Sequence, residues 1–564
     1  MFKKPDFRKL TPYAIVCAMA LLACIVPALR NRWPDNHDGD AVFKSVTVFK
    51  DMVFRFHEYF PAWTAYGSYG LGSPMPFFYH HVYFYIASSI DLIFNDVIVS
   101  VKISIFLLLT AGGTAVYMTV KKLFNRTFYG IVAAGLFIFS SYTYTQWLIR
   151  GAYAELTASV VFVWILFIFS RIGSRFASID FLTAGILFSI LLYSHNLIFL
   201  FALFSFAVFL AVHIKECLRA PFKPLLSAVF PVITILPYIF PYIALKGLFD
   251  MDHPIMAFKI KDSFIEIYRY FFDNHYNMGE TWLNLSPEIG RFFFLPLVVL
   301  IIIFLVRKRR LLPDPPESGN EIPVKKYMIF VFIMLVFYIF LQLPASIPFY
   351  YSFVYFKYLQ FPWRLLCMIT PLAIILFIYY SHASAALFKK INGKKAVDAG
   401  LALILLVQAV WVGGNYQFYR YRAFSSEELH KRVSRENLVA NFYWGEYMPP
   451  GFRQKNISSL LENRGLKVIS SSDPGLFSEI REFDKIHIEL APGDGKGTIV
   501  LNQIRSPFIT LKYSSNISVS NGDYQEAVFH QAGDGKPSYI DIAKTSLIGL
   551  DAYCIGEELV KAGL

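Results

Sequence analysis

Asp38 and Asp40 stand two residues apart in the polar stretch Trp33-Pro34-Asp35-Asn36-His37-Asp38-Gly39-Asp40, directly after one apolar run. Acidic groups beside a bilayer are costly unless they have work to do. A carboxylate within hydrogen-bond reach of a hydroxyl can take its proton. Two carboxylates at this spacing could share a divalent cation such as Mg or Mn, although such a pair alone specifies no metal. Asp-Gly-Asp is equally common turn chemistry. Asp40 is the favoured base, because it opens the helix-like run Ala41 to Phe49. Arg150 and Glu155 bracket a second short turn, Arg150-Gly151-Ala152-Tyr153-Ala154-Glu155. The planar donor fork of Arg150 suits a phosphate, with Glu155 to orient it; alternatively the two simply close the turn between helices. Arg364 begins an apolar run after Pro362-Trp363. Snorkelling could account for it, but a cation at a helix start is opposed by the helix dipole, so an anionic partner is expected. His80, His81, His195, Asn196 and Glu446 are supporting polar candidates, although a histidine at such a turn is more often structural.

These residues must be positioned by membrane helices. Of 564 residues, 56% are hydrophobic and 16% charged, against roughly 25% charged in soluble domains. Apolar runs of about 17–25 residues, each long enough to cross a core of roughly 30 Å, fall near 12–30, 99–120, 128–147, 155–170, 178–194, 196–214, 224–243, 291–306, 327–343, 365–381 and 397–415. The net charge of +13 does not indicate nucleic acid, because the basic residues sit in short clusters between the apolar runs, as the positive-inside bias predicts. If the stretch 77–95 does not span, Lys121-Lys122, Arg171 with Arg175, Arg307 to Arg310 and Lys389-Lys390 all fall on one side, so that choice wins. About eleven spans are expected, with the N-terminus in the cytoplasm. Asp38/Asp40, Arg150–Glu155, His195-Asn196, the 245–289 loop, Arg364 and Gly445–Pro450 then share the opposite face.

The basic segment 1–11 and the run to Leu29 read as an uncleaved anchor, since no clear cleavage site follows. Cys17, Cys24, Cys217, Cys367 and Cys554 show no metal-ligand spacing, and only Cys554 lies in the polar tail. The domains expected are a membrane domain over 1–415, with a first outer loop at about 31–98, and an extracytoplasmic domain over 416–564. Residues 423–440 suggest an amphipathic helix. Alternating segments at 485–490, 498–501, 508–513 and 517–519, separated by turn signals, predict a small β-rich unit. Trp63, Tyr66, Tyr69 and Trp444 could stack on sugar rings. No phosphate-binding glycine loop, dinucleotide fingerprint or zinc spacing is present.

Taken together, the anchor helix, acidic first outer loop, many spans and outer C-terminal domain resemble the GT-C class of membrane glycosyltransferases. More narrowly, Tyr66 to Phe78, Arg150 to Glu155, Ser194-His195-Asn196, Gln360 to Arg364 and Gly445 to Pro449 resemble a bacterial membrane family named as 6-pyruvoyl-tetrahydropterin synthase-related, a name that no visible pterin-synthase feature supports. The resemblance covers about residues 10–450. It implies a bacterial inner-membrane enzyme that moves a sugar from a polyprenyl-phosphate donor to a glycan, lipid or protein acceptor of the cell envelope, without nucleotide and with inversion. It implies an essential acid at Asp40 or Asp38 and donor-phosphate contacts from Arg150 or Arg364. Where many members carry a Pro-Pro-Leu-like helix, this chain has Tyr79-His80-His81-Val82, which leaves a polar role open to His80 or His81. A transporter or flippase of lipid-linked sugars would use the same arginines but want polar groups at mid-membrane; a non-catalytic assembly protein would need neither acid.

Overall fold

The computed structural model describes residues 7–30, 32–34, 36–62, 64, 75–245, 263–272, 286–308, 311–312, 321–352, 359, 361–385, 393–417, 423–434 and eight strands between 468 and 544. Glu446, Trp63, Tyr66, Tyr69, Trp444 and Cys554 lie outside the described residues. The chain divides into two compact units, Met1–Val42 with His80–Thr234 and Phe258–Ser426, and Phe43–Tyr79 with Ile235–Ala257 and Glu427–Leu564.

In the first unit the apolar runs are helices with the expected centres, among them Phe7–Leu29, Val97–Phe124, Tyr153–Arg175, Ser178–Ser194, Asn196–Val212, Leu366–Ser384 and Gly393–Val412. Local chemistry sets several boundaries. The Asp96 carboxylate accepts from the backbone N–H groups of Ile98 and Val99 at 2.9 and 3.0 Å and starts the Val97–Phe124 helix. Asn125, in the left-handed region, ends it, as asparagine can at little cost. Tyr153–Arg175 and Leu366–Ser384 lie at the centre, buried along most of their length, and Ser159 donates to the Cys367 carbonyl at 3.2 Å between them. Phe169 stacks on Phe209 at 4.6 Å in the same core.

The described residues do not confirm the count of eleven spans. Four helices are long and apolar enough to cross a membrane, or five if Val324–Phe340 and Pro344–Ser352, bent by 88°, form one span. Membrane-spanning helices are therefore present, but several expected spans form shorter apolar helices. The clearest case is 128–147, which is not one helix. It runs from Thr127 to Ile138, breaks at Phe139-Ser140, resumes at Ser141–Tyr144 and continues as a π-helical turn over Thr145–Arg150. The Ser140 hydroxyl accepts from the Thr143 N–H at 3.2 Å and caps the new start. The stretch 77–95 gives only a 13-residue helix, Val82–Phe94, about 20 Å long and too short to span.

In the second unit, residues 468–544 carry Val468–Ser471, Phe477–Arg481, Lys485–Leu490, Thr498–Ile504, Ile509–Tyr513, Ile517–Asn521, Glu526–Gln531 and Ser538–Lys544. They form two four-stranded antiparallel sheets. The chain alternates between them: Ser538–Lys544 lies between Lys485–Leu490 and Ile509–Tyr513 in one sheet, and Glu526–Gln531 lies between Thr498–Ile504 and Ile517–Asn521 in the other. The helix expected over 423–440 is shorter, Ser426–Arg432. In the first unit, a short strand at Ala423–Ser425 pairs with Arg32–Pro34, the segment that leads into the acidic loop.

Candidate functional site

The fragment 141–150 and the start of the next helix build a buried charged cluster. Arg150 Nη1 donates to both Glu155 oxygens, at 2.9 and 2.8 Å. The Tyr142 hydroxyl donates to Glu155 Oε1 at 2.7 Å and the Gln146 amide to the same oxygen at 3.1 Å. Arg150 and Glu155 are each only 2% exposed. The Arg150 guanidinium also lies over the Trp363 ring at 4.4 Å, and Phe361 stacks on the far side of the turn against Trp363 at 4.9 Å. Thus Arg150 Nη1 is engaged by both oxygens of Glu155, while its Nε is buried with no hydrogen-bond partner among the described residues.

Arg364 is held differently. Its Nε lies 3.9 Å from Glu155 Oε2, its side chain is 17% exposed, and Nη1 makes a long contact of 3.4 Å to the Leu359 carbonyl. Its Nε, like that of Arg150, is buried with no hydrogen-bond partner among the described residues. The two short contacts from Arg150 to Glu155, at 2.8 and 2.9 Å, have no counterpart here.

The acidic loop is tied to this cluster through its backbone. Asp38 N–H donates to the Arg150 carbonyl at 2.8 Å and His37 N–H to the Ile149 carbonyl at 3.3 Å. The Asn36 amide donates to the Leu148 carbonyl at 3.3 Å and to the Tyr153 hydroxyl at 3.4 Å, and Trp33 Nε1 donates to the same hydroxyl at 3.1 Å. Gly151 has φ +68°; a Cβ there would meet Asn36 Oδ1 at 2.6 Å and the Gly39 nitrogen at 3.0 Å, so only glycine allows the loop to approach. Asp38 is consequently close enough to interact electrostatically with both Arg150 and Arg364. Asp40 lies in the first turn of the helix Gly39–Lys50, half-buried.

Two histidines complete the cluster. His80 and His195 stack at 4.3 Å and 21°, and the neighbouring His81 N–H donates to the Tyr193 carbonyl at 2.9 Å, joining the two turns. Burial, then the Arg364 and Arg150 charges, holds His195 well below its ordinary value of 6.5. Burial, His195, Arg364 and His81 do the same to His80, with Glu155 opposing. Both rings are neutral near pH 7. Asn196, beside them in sequence, is exposed.

Asp38, Arg150, Glu155, Arg364, His80 and His195 are therefore brought together from five separate parts of the chain. Sequence reading missed Tyr142, Gln146 and Trp363 as members. The spacing 142, 146, 150 was a usable signal, because it places three polar residues on one face of a helical segment that ends at Arg150. No group of three or more His, Cys, Asp or Glu side chains among the described residues is disposed to hold a metal ion, and the donor set at Asp38 and Asp40 is the carboxylate pair alone.

No family model matches the chain, and no curated protein matches it. Among solved structures, the chain is similar to the Archaeoglobus fulgidus oligosaccharyltransferase in its apo form (12% identity, 74% of this chain and 57% of that one, TM-score 0.43). It is similar to the complex of that enzyme with Zn and sulfate (12%, 72% and 53%, TM-score 0.39). It is also similar to the archaeal oligosaccharyltransferase AglB from the same organism with an inhibitory peptide and a dolichol-phosphate (11%, 74% and 57%, TM-score 0.41). The chain spans little more than half the length of these neighbours. Overlaps this loose specify no function; that rests on the residues of the cluster.

Proposed function

We propose that this chain is a membrane glycosyltransferase that takes a sugar from a polyprenyl-phosphate donor at the extracytoplasmic rim of the bilayer and passes it to a hydroxyl-bearing envelope acceptor. The observation that carries the proposal is the contrast between the two arginines. Arg150 grips both oxygens of Glu155 through Nη1 at 2.8 and 2.9 Å, whereas Arg364 sits beside the same carboxylate at 3.9 Å with a further long contact to the Leu359 carbonyl, and both lie within electrostatic reach of Asp38. A half-buried guanidinium held this loosely is suited to receive an anion. One such cation matches the single charge of a phosphodiester better than the larger charge of a diphosphate.

In this reading the lipid tail stays in the membrane and the phosphate lies against Arg364. The acceptor oxygen attacks the anomeric carbon; the bond from that carbon to the phosphate oxygen breaks, and its electron pair leaves on polyprenyl phosphate. Arg364 stabilises that developing charge. Asp40 takes the acceptor proton, from the face opposite the leaving phosphate, so the anomeric configuration inverts. Asp38, nearer the arginines, orients the sugar. Arg150, Glu155, Tyr142 and Gln146 hold the frame.

The test is incubation of the purified full chain with a panel of polyprenyl-phosphate sugars, scoring released polyprenyl phosphate. Transfer should be seen with at least one donor, should fall by about 100-fold or more in Asp40→Asn, and should leave donor affinity in that variant unchanged. Equal donor transport by wild type and Asp40→Asn, without transfer, would instead support a flippase.

A further inference from the structure

The cluster around Glu155 has a counterpart one residue away. Ser141 Oγ donates to Glu288 Oε1 at 3.3 Å, whereas its neighbour Tyr142 donates to Glu155. Glu288 is fully buried and pairs with Arg291 Nη2 at 2.7 Å; it also accepts from the Arg291 N–H at 3.1 Å, at the start of the helix Arg291–Lys308. Arg291 lies over the Trp411 ring at 4.6 Å, as Arg150 lies over Trp363. Gln408, one turn before Trp411, donates to the Phe139 carbonyl at 3.1 Å and approaches Ser141 Oγ at 3.5 Å. Each node thus contains a glutamate, an arginine, a tryptophan and a glutamine, and the two meet at consecutive residues.

The second node sits at the helix break. Breaking a helix at Phe139-Ser140 frees backbone groups that cannot stay unpaired in a membrane. Gln408 satisfies the Phe139 carbonyl, Thr143 Oγ1 donates to the Phe137 carbonyl at 3.0 Å, and Ser140 caps the new start. Everything C-terminal of the break, from Ser141 to Arg150, carries the first node. A ten-residue fragment attached through a break would be free to tilt; here its base is gripped from two other helices.

We propose that Glu288, through Ser141 and with Gln408, is a positioning residue that sets the angle of the 141–150 fragment and so the placement of Tyr142, Gln146 and Arg150 around Glu155. Glu288 touches no reacting group. Its effect on ligand rests on the glycosyltransferase reading; its effect on the fragment does not.

The experiment has two arms, each on the full chain in detergent. In hydrogen exchange, Glu288→Gln and Ser141→Ala should each speed exchange of the 142–152 amides by about tenfold, leave Leu366–Ser384 unchanged, and be reversed by Glu288→Asp for the first. Unchanged exchange at 142–152, or acceleration spread equally over the helices, overturns the proposal. In binding, titration with a polyprenyl monophosphate should show about tenfold weaker affinity in Glu288→Gln and in Tyr142→Phe, with the double variant no weaker than either. Losses that simply add overturn it, because the two residues would then act separately. If the wild-type chain binds no polyprenyl monophosphate, the glycosyltransferase reading falls, while the exchange arm still decides the hinge.

Discussion

Arg150 and Arg364 should respond in opposite ways to the same substitution. Arg150→Gln removes both guanidinium contacts to Glu155, at 2.8 and 2.9 Å, and leaves a carboxylate 2% exposed with the neutral Tyr142 and Gln146 donors and Arg364 at 3.9 Å. Breaking a buried pair by deleting one partner costs roughly 3–5 kcal/mol. Arg364→Gln removes a contact of 3.9 Å from a side chain 17% exposed, which should cost no more than about 1 kcal/mol. Denaturation of the purified variants in graded detergent mixtures measures both. Binding should invert the order. A charge-assisted hydrogen bond to phosphate is worth about 1.5–3 kcal/mol, so Arg364→Gln should weaken polyprenyl monophosphate binding by roughly 10- to 150-fold, at nearly wild-type stability. A double replacement, Arg150→Met with Glu155→Met, should recover much of the lost stability, since apolar pairs of similar volume commonly match buried ion pairs. Greater destabilisation by Arg364→Gln than by Arg150→Gln, or binding of the lipid phosphate by Arg364→Gln as tight as wild type, would overturn this assignment of the two arginines.

Gly151→Ala should lower stability by roughly 1–2 kcal/mol from the left-handed backbone alone and abolish transfer, because its Cβ would collide with Asn36 Oδ1; a near-wild-type variant in both assays would show that the acidic loop is not locked there. Asp38→Asn should hold or tighten polyprenyl phosphate affinity, since it removes a negative charge beside the arginines, and a weaker affinity would assign Asp38 a direct contact instead. Folded-state values below 6.5 for His80 and His195 mean that the unfolded chain takes up protons first as pH falls. The stability the neutral stack contributes is therefore complete above 6.5 and lost below it, by up to about 1.4 kcal/mol per pH unit for each ring. The slope between pH 6.5 and 5 should flatten in His195→Gln, and an unchanged slope would place the titration elsewhere.

The helices were readable because a bilayer leaves one solution for an apolar run, and their centres fall where hydropathy puts them. Their ends and breaks were not. Ser140-Ser141-Tyr142-Thr143-Tyr144-Thr145 is polar enough to suggest an interruption of the 128–147 run, but the break is held by Gln408, almost 270 residues away, and no local pattern carries that. Asp38, Arg150, Glu155 and Arg364 were singled out because charge at a membrane edge is unusual, and the structure brings them together. The division of labour between the arginines was hidden, since RGAYAE is equally compatible with a phosphate contact and with a closed turn. The three-dimensional neighbours add what the sequence lacks: Tyr142 and Gln146 join Arg150 in bonding Glu155, so that this pair is tight where the Arg364 contact is long. In the 485–519 region the alternation of apolar and polar residues located strands well, because period-two patterning is a direct consequence of the pleat; Val468–Ser471 and Ser538–Lys544 lie outside the stretches where that alternation was noticed.

Why two arginines should share one carboxylate has an electrostatic answer. A cation left alone in a low-dielectric rim would be expensive while no ligand is bound, and a cation fully paired would have to break that pair to take one. Arg150 supplies Glu155 with its full partner, so Glu155 stays compensated whatever Arg364 does. Arg364 draws on the outer field of that carboxylate at 3.9 Å and on Asp38, enough to be tolerated without a ligand yet too weakly to resist a phosphate that offers direct charge-assisted hydrogen bonds. In the proposed reaction, transfer of Arg364 from Glu155 to the donor phosphate would therefore keep Glu155 compensated by Arg150 at both stages. The neutral His80–His195 stack preserves this balance, since a third and fourth positive charge beside the same carboxylate would make the empty site unstable and the product phosphate slow to leave.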